Sequence, residues 1–440
     1  MSSEEQATEP LIGNINRALP TAFDVALDSY YVRECYRVYY SLVIDLLHNS
    51  VYKYITLTGT PGIGKSIFYQ YFFSRYRKEY PDIPIIAASF NKKQVQKCVV
   101  FVPYKAPIII KKLDFLDIES DYPNAIHLYD GPPNMKPNDS KLVTFTSPNS
   151  SWFNFIRKNV GFHHPLYMPV WEFAELARAV DLLELDLTIN ELYRRFYEFG
   201  GEVRFCLQTN IDDYQEGEDS LQQAIKNINT VEALQSCFDL KVSMEHLIHR
   251  LLHYVPKTNP RFATLKIGSE GVENALYNKL GLKFLKEREK LMLWLEGAGK
   301  ASTFYGWLFE NLAHEILIEG GVFKCTILEE SDAMNERDLY IVPAVRRYDR
   351  FKNDFTLEKI FYNAYHIPIS QTFLSIGPFY YSNEVVTMFQ ITKSSNHPVN
   401  PAGLIDLFIK LRCLEVIRET PTLANLYQKE WEKTLSYKKL

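Results

Sequence analysis

No two of the six cysteines (Cys35, Cys98, Cys206, Cys237, Cys325 and Cys413) stand at CxxC or zinc-ligand spacing, so neither a zinc knuckle nor a disulfide framework is implied. They read as reduced, mostly buried thiols of an intracellular protein. No apolar run approaches the roughly 18 residues that a membrane span needs. The start, Met1-Ser2-Ser3-Glu4-Glu5-Gln6, lacks the basic and apolar regions of a secretory signal. Solenoid repeats and low-complexity tracts are also missing. A large excess of one charge is absent too: the formal net charge is −4 and the pI about 6.2. No global basic field announces nucleic acid, and such a contact has to come from a local patch.

What is present suits a folded chain of two or three domains, with a hydrophobic fraction of 46 % over 440 residues. The most specific stretch is Gly59-Thr60-Pro61-Gly62-Ile63-Gly64-Lys65-Ser66, which fits GxxxxGK[ST] at every fixed position. It follows the β-rich run Tyr54-Ile55-Thr56-Leu57-Thr58 and precedes Ile67 to Phe73, which continues as a helix. Glycines there let backbone N–H groups wrap phosphates, and the helix start adds partial positive charge. Lys65 is placed for the β- and γ-phosphates of ATP or GTP, and Ser66 for Mg²⁺.

A metal site of this kind needs an acid at the end of a neighbouring strand. Ala125-Ile126-His127-Leu128-Tyr129-Asp130 supplies one, making Asp130 the second expected Mg²⁺ residue; the bland alternative is a turn Asp ahead of Gly131-Pro132-Pro133. Gly131 stands where many ATPases carry a further acid that polarises water, so slow hydrolysis or a base from elsewhere is expected. Thr146 and Ser147, closing a run from Lys141, are γ-phosphate sensor candidates or ordinary turn hydroxyls. Arg204, past the Gly200-Gly201 end of a helix, is either a sensor arginine or a surface ion-pair partner.

Strands are expected near 83–90, 98–103 and 142–146, with a helix over Tyr31 to Ile44, which together predict a parallel three-layer α/β sheet. The expected organisation is a loosely held lead-in over 1–30, a nucleotide-binding domain over 31–214, a helical connector over 215–300, and a further unit over 301–440. In the last, Tyr305 to Glu315 reads as a helix with Glu310 and His314 on one face. Phe323 to Leu328 and Leu339 to Val342 read as strands, and Tyr380 to Lys393 as a hairpin in which Gln390 and Thr392 share a face.

The series GTPGIGKS, YDGPP, Phe145-Thr146-Ser147-Pro148 with Trp152, Tyr167-Met168-Pro169-Val170-Trp171 with Glu175-Leu176, and Arg194-Arg195-Phe196 with Phe199-Gly200-Gly201-Glu202-Val203-Arg204 resembles the Crinkler and retrotransposon-hot-spot group of effectors. The resemblance runs through about 30–210 and again in a C-terminal region. It implies a P-loop NTPase related to AAA+ and STAND ATPases, joined to a domain of the restriction-endonuclease (PD-(D/E)xK) superfamily that acts on DNA or chromatin in the nucleus. Self-association and delivery into a host cell belong to the same set of expectations, although no LFLAK-type leader is visible in 1–30.

By that resemblance Glu310 matches the first-helix glutamate and Gln390-Ile391-Thr392 the third-strand motif. Gly377 falls where the strand acid belongs, and Thr392 takes the lysine position, so the expected metal site is incomplete. The rival readings are a protein-interaction module and a working nuclease built from Glu310, Glu384 and Lys393.

Overall fold

The computed structural model describes residues 10–22, 28–48, 51–91, 94–111, 118–158, 161–240, 245–281, 302–325, 338–342, 344–345, 347–351, 361–368, 378–382, 385–389 and 391. The chain divides into two compact units, Met1–Ala301 and Ser302–Leu440.

In the first unit the hairpin of β1 (Ile12–Asn14) and β2 (Ser29–Tyr31) leads into α1 (Glu34–His48), β3 (Tyr54–Thr58) and α2 (Lys65–Glu79). There follow β4 (Ile85–Asn91), β5 (Gln94–Phe101), β6 (Ile108–Ile110), α3 (Ile118–Asp121), β7 (Ile126–Asp130), β8 (Leu142–Phe145), α4 (Ser150–Arg157) and β9 (His163–Tyr167). These strands form one seven-stranded sheet in the order β6-β5-β4-β7-β8-β3-β9. Strands β4, β7, β8, β3 and β9 run parallel, as the alternating pattern predicts, whereas at one edge β5 pairs antiparallel to β4 and β6 antiparallel to β5.

Both faces of the sheet are covered, which is why β3, β7 and β8 are buried along their whole length. On one face the aromatic side of α2 packs down: Phe68, Tyr69 and Phe72 ring Phe145 at 5.9, 5.1 and 5.8 Å, and Phe73 meets Phe101 at 4.6 Å. The opposite face carries Tyr54, Ile86, Tyr129 and Leu142 against Ile118 of α3 and Trp152 and Ile156 of α4. Burying each such ring contributes about 1.5–3 kcal/mol, enough to make the helix–sheet–helix sandwich the stable arrangement. Asn149 starts α4 by accepting the Trp152 N–H at 2.9 Å. The edge strand β9 was not foreseen, because His163-His164-Pro165 does not look like a strand; it is tolerated because Pro165 sits at an edge.

The helices α5 (Phe173–Leu182), α6 (Ile189–Phe199), α7 (Val203–Cys206), α8 (Ile211–Asn227), α9 (Val231–Phe238) and α10 (Glu245–Leu251) come next. An antiparallel hairpin of β10 (Leu252–Pro256) and β11 (Ala263–Ile267) and then α11 (Glu270–Gly281) complete the described part of the unit. The segment expected as a helical connector over 215–300 also contains a hairpin, and the Tyr254 N–H on it donates to Thr60 Oγ1 at 2.8 Å. The lead-in also differs from the loose segment expected. Residues 10–22 are held by the β1–β2 pairing, by the Asn16 N–H on Gln70 Oε1 (3.1 Å) and by a buried Leu19.

The second unit has α12 (Ser302–Glu319), the antiparallel pair β12 (Gly321–Cys325) and β13 (Asp338–Val342), and a four-stranded sheet in the order β14-β15-β16-β17. Its strands are β14 (Tyr348–Phe351), β15 (Ala364–Pro368), β16 (Phe379–Ser382) and β17 (Val385–Met388). The expected hairpin is β16–β17. Leu317, Val342, Tyr365 and Ile367 form a core there.

One buried ion pair fixes the entry of α1. Arg33, 1 % exposed, makes a two-pronged contact with Glu175 of α5 (Nε to Oε1 2.8 Å, Nη2 to Oε2 2.8 Å) and donates to the carbonyls of Pro169 and Val170. Its guanidinium also lies 4.5 Å above the Trp171 ring. Removing the acid strands a buried cation. Glu175→Ala is expected to lower the unfolding free energy by about 3 kcal/mol, measured by urea titration; a loss below about 1 kcal/mol, as for a surface pair, would contradict this placement.

Candidate functional site

The loop from Gly59 to Gly64 crosses from the C-terminal end of β3 to the start of α2, and most of its carbonyls are engaged by donors. Gly59 O and Thr60 O accept from Lys65 Nζ at 3.0 and 2.7 Å. Gly62 O accepts from the Arg204 N–H at 3.0 Å, Ile63 O from Trp171 Nε1 at 2.9 Å, and Gly64 O from Tyr36 Oη at 3.2 Å. Gly64 caps α2 with φ 92° and offers no side chain to the first N–H groups, and no acid stands in that first turn. A helix start arranged in this way favours an anion. Gly62, at φ 77°, leaves no room for a Cβ, which would run into the Glu202 carboxyl.

Asp130 ends β7 under the same helix. Its Oδ1 accepts from Ser66 Oγ at 2.9 Å and its Oδ2 from the Ala22 N–H at 2.8 Å. Both residues expected to hold Mg²⁺ are thus joined directly, with β8 lying between β7 and the loop strand β3. One carboxylate and one hydroxyl are the oxygen donors that suit Mg²⁺, which keeps most of its sphere as water and phosphate oxygen. Gly131 follows at φ 94°, where a Cβ would collide with the Phe90 carbonyl and meet Ala22. Packing therefore bars the second acid at this position.

The charges are buried. Burial brings the Lys65 ammonium down to about 7, the Arg204 charge acting in the same sense while Glu202 and Asp130 oppose it. Burial likewise lifts Asp130 to about 6 against the hydrogen bonds from Ala22 and Ser66 and the charge of Lys65. Glu202, 4 % exposed, is pushed up to about 7 by burial, with Arg250, Arg204 and Lys65 pulling the other way. A cluster of cations and acids taken from water is costly to the fold and typical of a working site.

Arg204, open in the sequence between sensor and surface partner, sits within electrostatic reach of Lys65, and its backbone is bonded to Gly62. Thr146 follows β8 directly beside β3, its N–H on Leu57 O at 2.9 Å and its hydroxyl on Ser147 O at 3.2 Å. Glu202 escaped the sequence reading as a functional residue because an acid after Gly-Gly has no characteristic spacing. Tyr36, Trp171 and Tyr254 escaped it because they reach the loop only through folding.

In the second unit, Glu310 Oε1 lies 3.8 Å from His314 Nε2, and His314 Nδ1 is bonded to Tyr365 Oη at 2.9 Å. His314 is buried, so it joins α12 to β15. Gly377, Glu384, Gln390, Thr392 and Lys393 lie outside the described residues.

No protein-family model matches the sequence, nor does any curated protein. Among solved structures, a STAND ATPase with a tetratricopeptide repeat sensor from Pyrococcus horikoshii is 11 % identical over 69 % of this chain and 52 % of its own, at TM-score 0.26. The chain thus spans about half the length of that protein. The Thermotoga maritima RuvB Holliday junction branch migration motor is 14 % identical over 56 % of this chain and 94 % of its own, at TM-score 0.28. The Aeropyrum pernix ORC2 protein, in ADPNP–ADP complexes, is 12 % identical over 56 % and 93 %, at 0.27. The first unit has the P-loop NTPase fold on its own strand order, its Gly59–Ser66 loop and the position of Asp130.

Glu202 gives a pH-dependent expectation. Its folded value, about 7, lies above the ordinary 4.5, so the folded state holds a proton that the unfolded chain has released. Its contribution to stability therefore falls as pH rises from about 4.5 through 7. Glu202→Gln is expected to stabilise the protein at pH 8 by about 2 kcal/mol and hardly at all at pH 4.5, compared by chemical denaturation. A stabilisation that does not change with pH would remove this account of Glu202.

Proposed function

We propose that the first unit binds ATP or GTP on the 59–66 loop and hydrolyses it with Mg²⁺ held by Ser66 and Asp130. The observation that carries this reading is the 2.9 Å bond between Ser66 and Asp130, formed beside a loop whose Gly59, Thr60, Gly62, Ile63 and Gly64 carbonyls are each engaged by a donor. Bound Mg²⁺ would neutralise charge on the phosphates. Lys65 lets go of its two loop carbonyls to meet β- and γ-phosphate oxygens, and the added negative charge restores its proton. Arg204 approaches from the Gly62 side as the cation that stabilises charge in the transition state. Turnover is slow, because Gly131 excludes the acid that would polarise the attacking water.

Motif order alone carries the finer reading: a Crinkler-like effector, nuclear, self-associating, whose second unit has an endonuclease-like fold and meets DNA phosphates. By that resemblance, Gly377 in place of the strand acid and Thr392 in place of the lysine favour contact with DNA over cutting. The full chain is then expected to bind DNA with an affinity that drops steeply with salt and to leave it uncut in Mg²⁺, with Glu310→Ala changing the affinity only slightly. Mg²⁺-dependent nicking lost in Glu310→Ala would instead establish a nuclease. Loss of all salt-sensitive binding would favour a protein-interaction module.

For the first unit the decisive measurement is phosphate release with Mg²⁺, alongside binding of labelled ATP and GTP. Lys65→Ala should abolish binding in a folded protein. Asp130→Asn should keep nucleotide affinity within a few-fold and lose hydrolysis, and Arg204→Ala should slow turnover on the order of 1,000-fold. Wild-type affinity in Lys65→Ala would defeat the loop assignment.

A further inference from the structure

Ser89, Asp130 and Phe145 form one row across β4, β7 and β8: Ser89 pairs with Asp130, and Asp130 with Phe145. Partners in a parallel pair present their side chains to the same face, so all three look toward α2. The first turns of that helix cover the row, with Ser66 on Asp130 and the Tyr69 ring 5.1 Å from Phe145. Tyr69 stands one turn beyond Ser66 and feels the Asp130 charge, which pushes its phenol further up beyond the effect of burial.

Two hydroxyls in this row are left over. Ser89 is 1 % exposed and Tyr69 0 %, and among the described residues neither Ser89 Oγ nor Tyr69 Oη has a hydrogen-bond partner. Buried polar groups are nearly always paired, and an orphan is costly to a fold that gains nothing from it. Apolar side chains of similar shape would have filled both places. Here one orphan belongs to the residue paired with Asp130 across the strands, and the other stands one helical turn from the Ser66 that is bonded to Asp130.

We propose that Ser89 and Tyr69 are positioning residues that hold the water shell of a divalent cation bound by Ser66 and Asp130. The inference rests on the nucleotide reading of the loop. With one carboxylate and one hydroxyl from the protein, most of the cation's octahedral sphere is water and phosphate oxygen. Metal-bound waters are strong donors and require acceptors. A hydroxyl on β4 and a phenol on α2 supply them from two sides of Asp130, setting the orientation of the waters and of the acid together. This accounts for a metal site with few charged ligands; among the described residues, no group of three or more His, Cys, Asp or Glu gathers in one place.

Ser89→Ala and Tyr69→Phe each delete only the hydroxyl. In the full-length protein, binding of fluorescent ATP and GTP analogues is followed first in EDTA and then through a Mg²⁺ titration. Both variants are expected to match wild type in EDTA and to raise the Mg²⁺ midpoint by about tenfold or more. Their nucleotide-free unfolding midpoints should be equal to or above wild type, since an unpaired group has been removed. Mg²⁺ midpoints coinciding with wild type in both variants would overturn the proposal, whether or not the nucleotide-free proteins had become less stable. Failure of wild type to bind either analogue, with or without Mg²⁺, would overturn the loop reading and this proposal with it.

Discussion

The Gly59–Gly64 turn can leave its N–H groups to a phosphate only if something else satisfies its carbonyls, and the first unit is arranged around that requirement. Orphaned backbone groups are costly, and five of the six loop carbonyls have a donor. Lys65 takes two, from the first turn of α2. The others are served by α1 through Tyr36, by the segment after β9 through Trp171, and by the start of α7 through Arg204. The hairpin β10–β11 adds a fourth support at the Thr60 hydroxyl. Loop shape is thus a property of the folded unit, and loosening any of these elements should be felt at the phosphate site before it is felt in the core.

Charge explains the second feature of the site. Lys65, Arg204 and Arg250 bring positive charge to a place where Asp130 and Glu202 are already buried. At low effective dielectric these groups depend on one another for their protonation states, and both acids are displaced upward while the lysine is displaced downward. Each departs from its ordinary value toward neutrality. The unliganded site is strained electrostatically, and an incoming polyanion relieves the strain on the lysine while adding to that on Glu202. The lead-in segment, which places the Ala22 N–H on Asp130, belongs to this balance because it supplies a second donor to an acid already bonded by Ser66.

Local sequence determined the loop, its lysine and serine, and the strand and helix on either side, because glycine spacing and apolar alternation act over a few residues. It also marked Asp130, the hydroxyl of Thr146 and the Gly-Gly stop before Arg204. What Asp130 and Arg204 touch depended on separations of 64 residues from Ser66 and of more than a hundred from Gly62, and local pattern contains no information at that range. Only the tertiary structure decided that Tyr254, 194 residues from Thr60, supports the loop, and that Glu202 lies against Gly62. The edge strand β9 and the antiparallel β5 and β6 were likewise settled by packing, since a strand carrying Pro165 gains its identity only from the neighbour it pairs with. Gly131 shows both sides of this division: the sequence reveals that an acid is missing there, and the fold supplies the physical reason, a carbonyl of β4 standing where its Cβ would have to go.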